Sequence, residues 1–433
     1  MFVTANLISE MRISFGKFIR LKLPCLFVFF LFLVFYISGS LYWIFTENYL
    51  GQYNFVEINK CPVCYGDSLC QTLLKNQVQL SNIAKVRLLD IFGTNAERIH
   101  HATLNTKNLG KQEVVLKKLG THHDLSDLDA LICSKAKMAE NCDVSLAVSR
   151  LSFVKQSGDD SKFAKYLRGS SKMFFCPSTR LVSELFSKYK ERSSDDEMMV
   201  RDRVKIWSTA VINQEPLLLQ MFPVADGWPF PEYFGACGRY VAVGNGGKPL
   251  SEFYNANWSA RADIAYKLVK IADVLTNNKA DFALYLTDVT DDNFAVNDDG
   301  KVTLIDLEDV LVVDKLAVKS AKLPGWQDVH ESVFVDCPGK SFKSCHSFSE
   351  VNLCSHMTSD HNYYAICRYI LTRHYNNKGQ SLKNGLLHDI PQNVNEEWDL
   401  EYLLNECVSP KRQRGRIQVV HKILEALDNI RRL

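Results

Sequence analysis

The pattern of apolar and polar positions predicts a chain rich in amphipathic helices. The longest stripe lies in residues 259–275, where apolar side chains recur at helical spacing, at Ile264, Leu268, Ile271 and Leu275. Similar spacings predict further helices over residues 124–137, 179–211, 361–373 and 415–432. The helical signal is therefore strongest in the C-terminal part of the chain.

Short apolar runs between turn-forming residues predict the strands. Val114–Lys117 is one such run. Residues 217–222 and 240–243 are two more, and they stand on either side of a connection rich in glycine and proline. Strands and helices together predict an α+β fold.

The longest uninterrupted apolar run is Leu23–Phe45, which contains no charged residue. At about 1.5 Å per residue it is long enough to cross a bilayer core of about 30 Å. Basic residues precede it, at Arg12, Lys17, Arg20 and Lys22. We therefore predict a type II signal anchor at 23–45, with residues 1–22 as a cytosolic tail and the rest of the chain luminal. The alternative is a cleaved signal peptide, because small residues follow the apolar core at Ser38–Ser40.

Composition limits both the domain organisation and the class of binding partner. The 433 residues are 46% hydrophobic and 23% charged, enough for one large domain or two lobes. The net charge of +2 argues against a nucleic-acid partner.

Cysteine usage agrees with a luminal domain. Of 13 cysteines, Cys25 lies in the apolar run and the other twelve are an even number, which predicts up to six disulfides. A stem tied by cysteines is predicted over 46–75. For Cys61-x-x-Cys64 a zinc site or redox pair is the alternative. Asn257-Trp-Ser259 predicts an N-glycosylation site at Asn257.

One group of polar residues has a spacing that predicts a catalytic site. Asp288 is followed by Asn293 and then by Asp306, which ends an apolar run. Between them, Asn-Asp-Asp-Gly at 297–300 is typical of a hairpin turn. The catalytic loop and metal-binding aspartate of a protein kinase have this arrangement, so residues 284–310 are predicted as a catalytic loop. Asp288 would accept the proton of the attacking hydroxyl, while Asn293 and Asp306 would hold metal ions.

Lys117 ends an apolar run well before this loop and is predicted to bind the α- and β-phosphates of ATP. It needs a carboxylate to hold it, and the candidates are Asp127 and Asp129 on the first predicted helix after it and Glu184 on the second. Asp127 or Asp129 is favoured because both follow Lys117 closely. In this two-lobed, kinase-like interpretation, residues 76–243 form the N-lobe and 244–433 the C-lobe. ATP with Mg²⁺ or Mn²⁺ is the expected cofactor.

Some kinase features are missing from the sequence. No Gly-x-Gly-x-x-Gly precedes Lys117, and Leu307-Glu308 replaces Phe-Gly after Asp306. Thr287 stands where an arginine usually precedes the catalytic aspartate, so activation through a phosphorylated loop is not expected.

Several short blocks span most of the chain: Lys60–Cys64, Val114–Lys117, Cys176–Ser178, Gly227–Phe230 with Gly235–Arg239, Leu284–Asp288 with Asp292–Ala295, and Asp360–Tyr364. In this order they resemble the deleted-in-autism proteins, the divergent protein kinase domain 2 branch of the secretory-pathway kinase-like proteins. The resemblance implies a kinase-like fold, residence in the Golgi or ER, and secretion as a signalling factor as an alternative. It also implies that Asp360 hydrogen-bonds the catalytic-loop backbone; a helix N-cap is the other interpretation of this residue.

Two functions follow from these observations. The first is a luminal kinase that phosphorylates a secreted or luminal protein, or a glycan. The second is a catalytically inactive kinase fold that acts as a disulfide-stapled binding module or secreted ligand for a receptor. The Lys/Asp/Asn/Asp set favours the first, and the missing glycine motif favours the second.

Overall fold

The computed structural model describes residues 30–39, 53–75, 77–81, 99–106, 110–155, 162–163, 165–167, 175–191, 200–333, 348–375 and 381–432. Residues 30–39 are helical and exposed. Within the described ranges, no helix has both the length and the apolar character needed to cross a bilayer. The tail 1–22 and most of the anchor predicted at 23–45 lie outside these ranges.

The chain combines helices and strands, as predicted. The helices from residue 53 onward are α1 Tyr53–Val56, α2 Cys70–Leu74, α3 His122–Lys135, α4 Val144–Ala147, α5 Ser152–Lys155, α6 Thr179–Glu191, α7 Val200–Ile212, α8 Glu215–Met221, α9 Trp258–Thr276, α10 Lys315–Ala321, α11 Glu350–Ser355, α12 His361–Ile366, α13 Gln392–Trp398, α14 Leu400–Val408 and α15 Gly415–Ile430. The strands are β1 Val78–Leu80, β2 Ile99–Thr106, β3 Gly110–Lys117, β4 Tyr233–Cys237, β5 Tyr240–Gly244, β6 Lys248–Pro249, β7 Phe282–Leu286, β8 Phe294–Val296, β9 Val302–Leu304, β10 Val310–Asp314, β11 Val329–His330, β12 Thr358–Ser359, β13 His374–Tyr375 and β14 Ser381–Lys383.

A five-stranded antiparallel sheet in the order β1-β2-β3-β5-β4 forms the sheet part of the molecule. Successive side chains of a strand point to opposite faces. Val114 and Leu116 of β3 accordingly join one apolar cluster, while Val115 joins the other. Lys117, two positions after Val115, therefore ends the central strand on the same face as Val115.

The other face of the sheet is covered by residues 53–75, which are the described part of the stem predicted at 46–75. Val56, Leu69 and Leu73 pack in the apolar cluster that contains Val114 and Leu116. The disulfide Cys70–Cys237 joins this segment to strand β4 across 167 residues. Residues 53–75 are therefore part of the folded domain.

Helix α8 corrects one element of the sequence analysis. Residues 217–222 were predicted as a strand, but 215–221 are helical. Every residue of α8 is buried, so its apolar side chains are not confined to one stripe and show no helical period. The available signal was Pro216, because proline favours the first turn of a helix.

The helical part is built around α9, which packs against α12 and α15. Beside it, β7 and β10 form an antiparallel pair in which all residues are buried. The predicted hairpin is present as β8 and β9, with Phe294 opposite Leu304. Its turn closes with a hydrogen bond from Gly300 N to Asn297 O (2.9 Å), and Gly300 has a φ of 73°.

The described residues contain five disulfides, which confirms the prediction of a disulfide-rich domain. They are Cys61–Cys64, Cys70–Cys237, Cys133–Cys142, Cys176–Cys354 and Cys367–Cys407. Cys61 and Cys64 are thus bonded to each other. Cys176–Cys354 spans 178 residues and joins the segment before α6 to helix α11.

Candidate active site

Lys117 connects the sheet to the predicted catalytic loop. Its Nζ lies 2.8 Å from Oε1 of Glu215 and donates to the carbonyl of Ile305 at 2.6 Å. The side chain of Glu215 is 1% exposed and that of Lys117 is 12% exposed. A largely buried ion pair therefore joins strand β3, helix α8 and the residue before Asp306.

The ion pair corrects the predicted partner of Lys117, which is neither Asp127 nor Asp129. Asp127 pairs with His123 at 2.7 Å on the exposed side of α3. Asp129 pairs with Arg239 and with Lys60, at 2.8 Å from the latter. Helix α3 turns its apolar side chains inward, and its carboxylates face these other cations.

Glu215 is the functional residue that sequence reasoning missed. A charged residue directly before the apolar run of 216–219 was an available signal, because a carboxylate in such surroundings needs a buried cation. Burial raises the pKa of Glu215, the ammonium of Lys117 lowers it, and the carboxylate of Asp306 raises it again. The backbone N–H of Glu215 donates to Oδ1 of Asn213 at 2.8 Å, which fixes the start of α8.

The loop after β7 brings Asp288 and Asn293 together. Nδ2 of Asn293 donates to the carbonyl of Asp288 at 3.1 Å, and the hydroxyl of Thr290 donates to Oδ1 of Asn293 at 3.0 Å. The backbone N–H of Ile305 donates to the carbonyl of Asn293 at 2.8 Å. Asn293 therefore lies next to the residue that precedes Asp306.

Asp306 is half-buried, and its Oδ1 accepts a hydrogen bond from the backbone N–H of Glu308 at 3.1 Å. On the other side, the hydroxyl of Thr287 donates to the carbonyl of Asp309. The segment after Asp306 therefore lies against the start of the loop that contains Asp288.

Negative charge accumulates in this region. The pKa of Glu308 is raised to about 7, first by desolvation and then by the carboxylates of Asp306, Asp309, Glu215 and Asp288. Glu308 is exposed on one side, so neighbouring atoms withdraw only part of its carboxylate from water. The cluster therefore places several carboxylates within electrostatic reach of one another.

The donor set fits a hard divalent cation. An amide oxygen and a carboxylate, from Asn293 and Asp306, are ligands that Mg²⁺ and Mn²⁺ accept. Oδ1 of Asn293 accepts one hydrogen bond from Thr290 and keeps a second lone pair. In the described ranges, no group of three or more His, Cys, Asp or Glu side chains is arranged to hold a metal. A metal here would therefore need oxygens from phosphate or water as well.

Strand β7, which leads to Asp288, is held by helix α12. Asn362 accepts from the backbone N–H of Leu286 and donates to the carbonyl of Leu284, both at 2.9 Å. Nε2 of His361 donates to the carbonyl of Leu286 at 2.9 Å, and the hydroxyl of Ser332 lies 2.9 Å from its Nδ1. These buried side chains hold the C-terminal end of β7, from which the chain continues to Asp288.

Asp360 does not perform the role that the resemblance implies. It accepts from the backbone N–H of Ser332 at 2.8 Å and pairs with the buried Arg416. It stands at the N-cap position of α12 without a side-chain capping bond. Its burial raises its pKa, and Arg416 opposes that rise. The contacts to β7 come instead from the next two residues.

The buried His361 predicts a pH dependence of stability. Burial lowers its pKa from 6.5 to about 4. The hydrogen bond to the Leu286 carbonyl raises the pKa, while the positive charges of His330 and Arg416 lower it further. The unfolded chain therefore binds more protons between these two values. This contribution to stability is complete above pH 6.5 and is lost as the pH falls toward 4, by about 3 kcal/mol in all.

Denaturant titrations between pH 4 and 7 test this expectation. His361→Gln should have a smaller slope of unfolding free energy against pH in this window than the parent protein. The exposed His421→Gln is the control and should keep the parent slope. An unchanged slope in His361→Gln would show that His361 does not titrate in this way.

Asn257 is exposed and caps α9, since its Oδ1 accepts from the backbone N–H of Ala260 at 2.8 Å. Its glycosylation stays a prediction.

Comparison with known proteins first defines the class. Residues 206–410 match a family model described as the protein-kinase domain of FAM69. This range includes Glu215, the catalytic loop and α12. The chain is therefore a kinase-like protein.

Relatives narrow the class to one family. The chain is 42% identical over 390 residues to divergent protein kinase domain 2A of Xenopus tropicalis, covering 88% of this chain and 89% of that one. It is 40% identical over 398 residues to the Homo sapiens protein of the same name, covering 90% and 91%. Divergent protein kinase domain 2B of Bos taurus is 29% identical over 279 residues, covering 62% and 63%. The chain belongs to the divergent protein kinase domain 2 family, as its short motifs predicted.

Proposed function

We propose that this chain is a two-lobed kinase that works in the secretory pathway and transfers phosphate from ATP to a hydroxyl of a luminal or secreted protein. The observation that carries the proposal is the buried ion pair between Lys117 and Glu215, with its bond to the carbonyl of Ile305. A lysine held by a carboxylate at this point is what phosphate binding in a kinase requires.

In this proposal each residue has one role. The Lys117 ammonium pairs with phosphate oxygens, and Asp288 orients the attacking hydroxyl and accepts its proton. Asn293 and Asp306 hold Mg²⁺ or Mn²⁺, which neutralises charge on the phosphates when bound. Positioning and neutralisation of charge supply most of the catalysis in phosphoryl transfer, so these groups suffice without a glycine-rich motif.

The compartment is part of the proposal. The apolar run at 23–45 would anchor the protein in a Golgi or ER membrane, or direct its secretion if it is cleaved. Five disulfides in the described ranges support an oxidising compartment. Glycosylation of the exposed Asn257 would agree with it.

The second candidate is an inactive, disulfide-stapled binding module. One contact favours it: the Lys117 ammonium already has two protein acceptors, from Glu215 and Ile305. The missing glycine motif and Leu307 in place of phenylalanine point the same way. A receptor or secreted partner would then be the ligand.

Thermal unfolding of the purified luminal domain separates the two candidates. We expect ATP with Mn²⁺, at about 100 times its dissociation constant, to stabilise the parent protein by about 2.7 kcal/mol. Asp306→Ala should lose this stabilisation, because the metal loses its carboxylate. Asp299→Ala, in the exposed hairpin turn, is the matched control and should keep it. No shift in the parent with either Mg²⁺ or Mn²⁺ would leave the binding module as the function.

A further inference from the structure

The segment after Asp306 is held from one direction by three consecutive residues, which run from the end of α7 to the first residue of α8. They are Asn213, Gln214 and Glu215, and each is at least 95% buried. Glu215 accepts from the backbone N–H of Leu307 at 3.5 Å, in addition to binding Lys117. Nδ2 of Asn213 donates to Oε2 of Glu308 at 2.6 Å.

Gln214 makes the densest set of these contacts. Its Nε2 lies 3.2 Å from the carbonyl oxygen of Leu307, 2.9 Å from that of Glu308 and 2.8 Å from that of Val310, so its two N–H groups are shared among three acceptors. All three acceptors are carbonyls, so only the NH₂ end of the amide can face them. One buried side chain therefore fixes the backbone over four residues.

We propose that Gln214 is a positioning residue that sets the orientation of Asp306, and this inference rests on the proposed function. Asp306 is tied to this segment because its Oδ1 accepts from the N–H of Glu308, whose carbonyl is bound by Gln214. The usual Phe-Gly after the metal-binding aspartate is a flexible hinge. Here Leu307-Glu308 is clamped instead, so the metal-binding carboxylate is held ready before nucleotide binds.

The clamp has a physical cost if it is broken. Removing the amide of Gln214 takes a hydrogen-bond donor away from the carbonyls of Leu307, Glu308 and Val310, which destabilises the present position of this segment. The segment is then expected to move until water reaches these carbonyls. That movement takes the N–H of Glu308 away from Asp306.

Gln214→Met tests the proposal, because it keeps the length of the side chain and removes the donor. Gln220→Met is the matched control: Gln220 lies on α8, is also buried, and donates only within its own helix, to Pro216 O at 2.7 Å. A second variant, Gln214→Asn, keeps the amide but is one methylene shorter. It is expected to behave like Gln214→Met, so the test does not depend on one variant folding.

The first measurement is amide hydrogen exchange in the absence of ligand. Gln214→Met should exchange the amides of 307–310 at least about tenfold faster than the parent, while Gln220→Met should not. This measurement is independent of nucleotide, so it stands even if the parent binds no ATP and the proposed kinase function fails. Equal exchange in parent and Gln214 variants would overturn the clamp, and so would rapid exchange of these amides in the parent.

The second measurement is Mn²⁺ affinity of the ATP-loaded protein, followed through the electron paramagnetic resonance of free Mn²⁺. Gln214→Met should bind Mn²⁺ about tenfold more weakly, as is typical when a group that orients a metal ligand is removed. Its affinity for metal-free ATP, which depends on Lys117, should stay near that of the parent. Equal loss of both affinities would indicate general damage to the fold and would reject a specific positioning role.

Discussion

Lys117→Met is expected to lower the rate of phosphoryl transfer by about 100- to 1000-fold, the loss typical of removing one group that stabilises developing charge. Methionine matches the length of lysine but presents no cation to the phosphates. The buried Glu215 then loses the ammonium that lowers its pKa, and burial favours its protonated form. The rate is measured with radiolabelled ATP and a panel of secreted proteins.

Lys118→Met is the matched control for this change. Lys118 is the next residue, and its ammonium binds Oε1 of Glu57 at 2.6 Å, away from the catalytic loop. It should keep a rate close to that of the parent protein. A Lys117→Met protein that is folded and retains the parent rate would remove Lys117 from the mechanism.

Glu215→Ala is expected to lower the free energy of unfolding by about 3–5 kcal/mol, which is typical when one partner of a buried ion pair is removed. The remaining Lys117 is only 12% exposed and would keep one acceptor, the carbonyl of Ile305. The N–H of Leu307 would lose its acceptor as well. Urea unfolding followed by far-UV circular dichroism measures the difference.

Two further proteins make this experiment specific. Glu113→Ala removes an exposed carboxylate from the same strand as Lys117 and should change stability by no more than about 0.5 kcal/mol. The double change Lys117→Met with Glu215→Leu replaces the ion pair by apolar groups. Its loss should be far smaller than the summed losses of Lys117→Met alone and Glu215→Leu alone, each measured in the same way, because no charge is left buried. Additive losses would show that the pair is not coupled.

Local chemistry explains what could be predicted from the sequence. The turn at 297–300 follows from residues that tolerate its backbone angles, and the hairpin then fixes Asn293 near Asp306. Likewise, α9 follows from its helical periodicity, and β3 follows from the apolar run at 114–117, although the strand already begins at Gly110. These features depend on residues close in sequence.

What the sequence did not reveal depends on distant pairing. Lys117 meets Glu215 across 98 residues, and the apolar run after Glu215 indicates that its carboxylate needs a buried cation but not which cation that is. The same holds for α12, where the contacts to β7 come from His361 and Asn362 rather than from Asp360. On a buried helix, a shift of one residue turns a side chain to a different neighbour.

The disulfide Cys176–Cys354 has a consequence for how the molecule can open. The sheet part continues into the helical part through residues 244–248, between β5 and β6. Helix α6 packs on α8. The segment just before α6 is cross-linked to the helical part by this disulfide, and Arg180 in the first turn of α6 forms an ion pair with Asp314. The two parts are therefore covalently connected at two separate places, in addition to the hydrogen bonds that Lys117 and Gln214 make to residues 305–310. A ligand could therefore enter or leave between the two parts only through a movement that keeps both covalent connections intact.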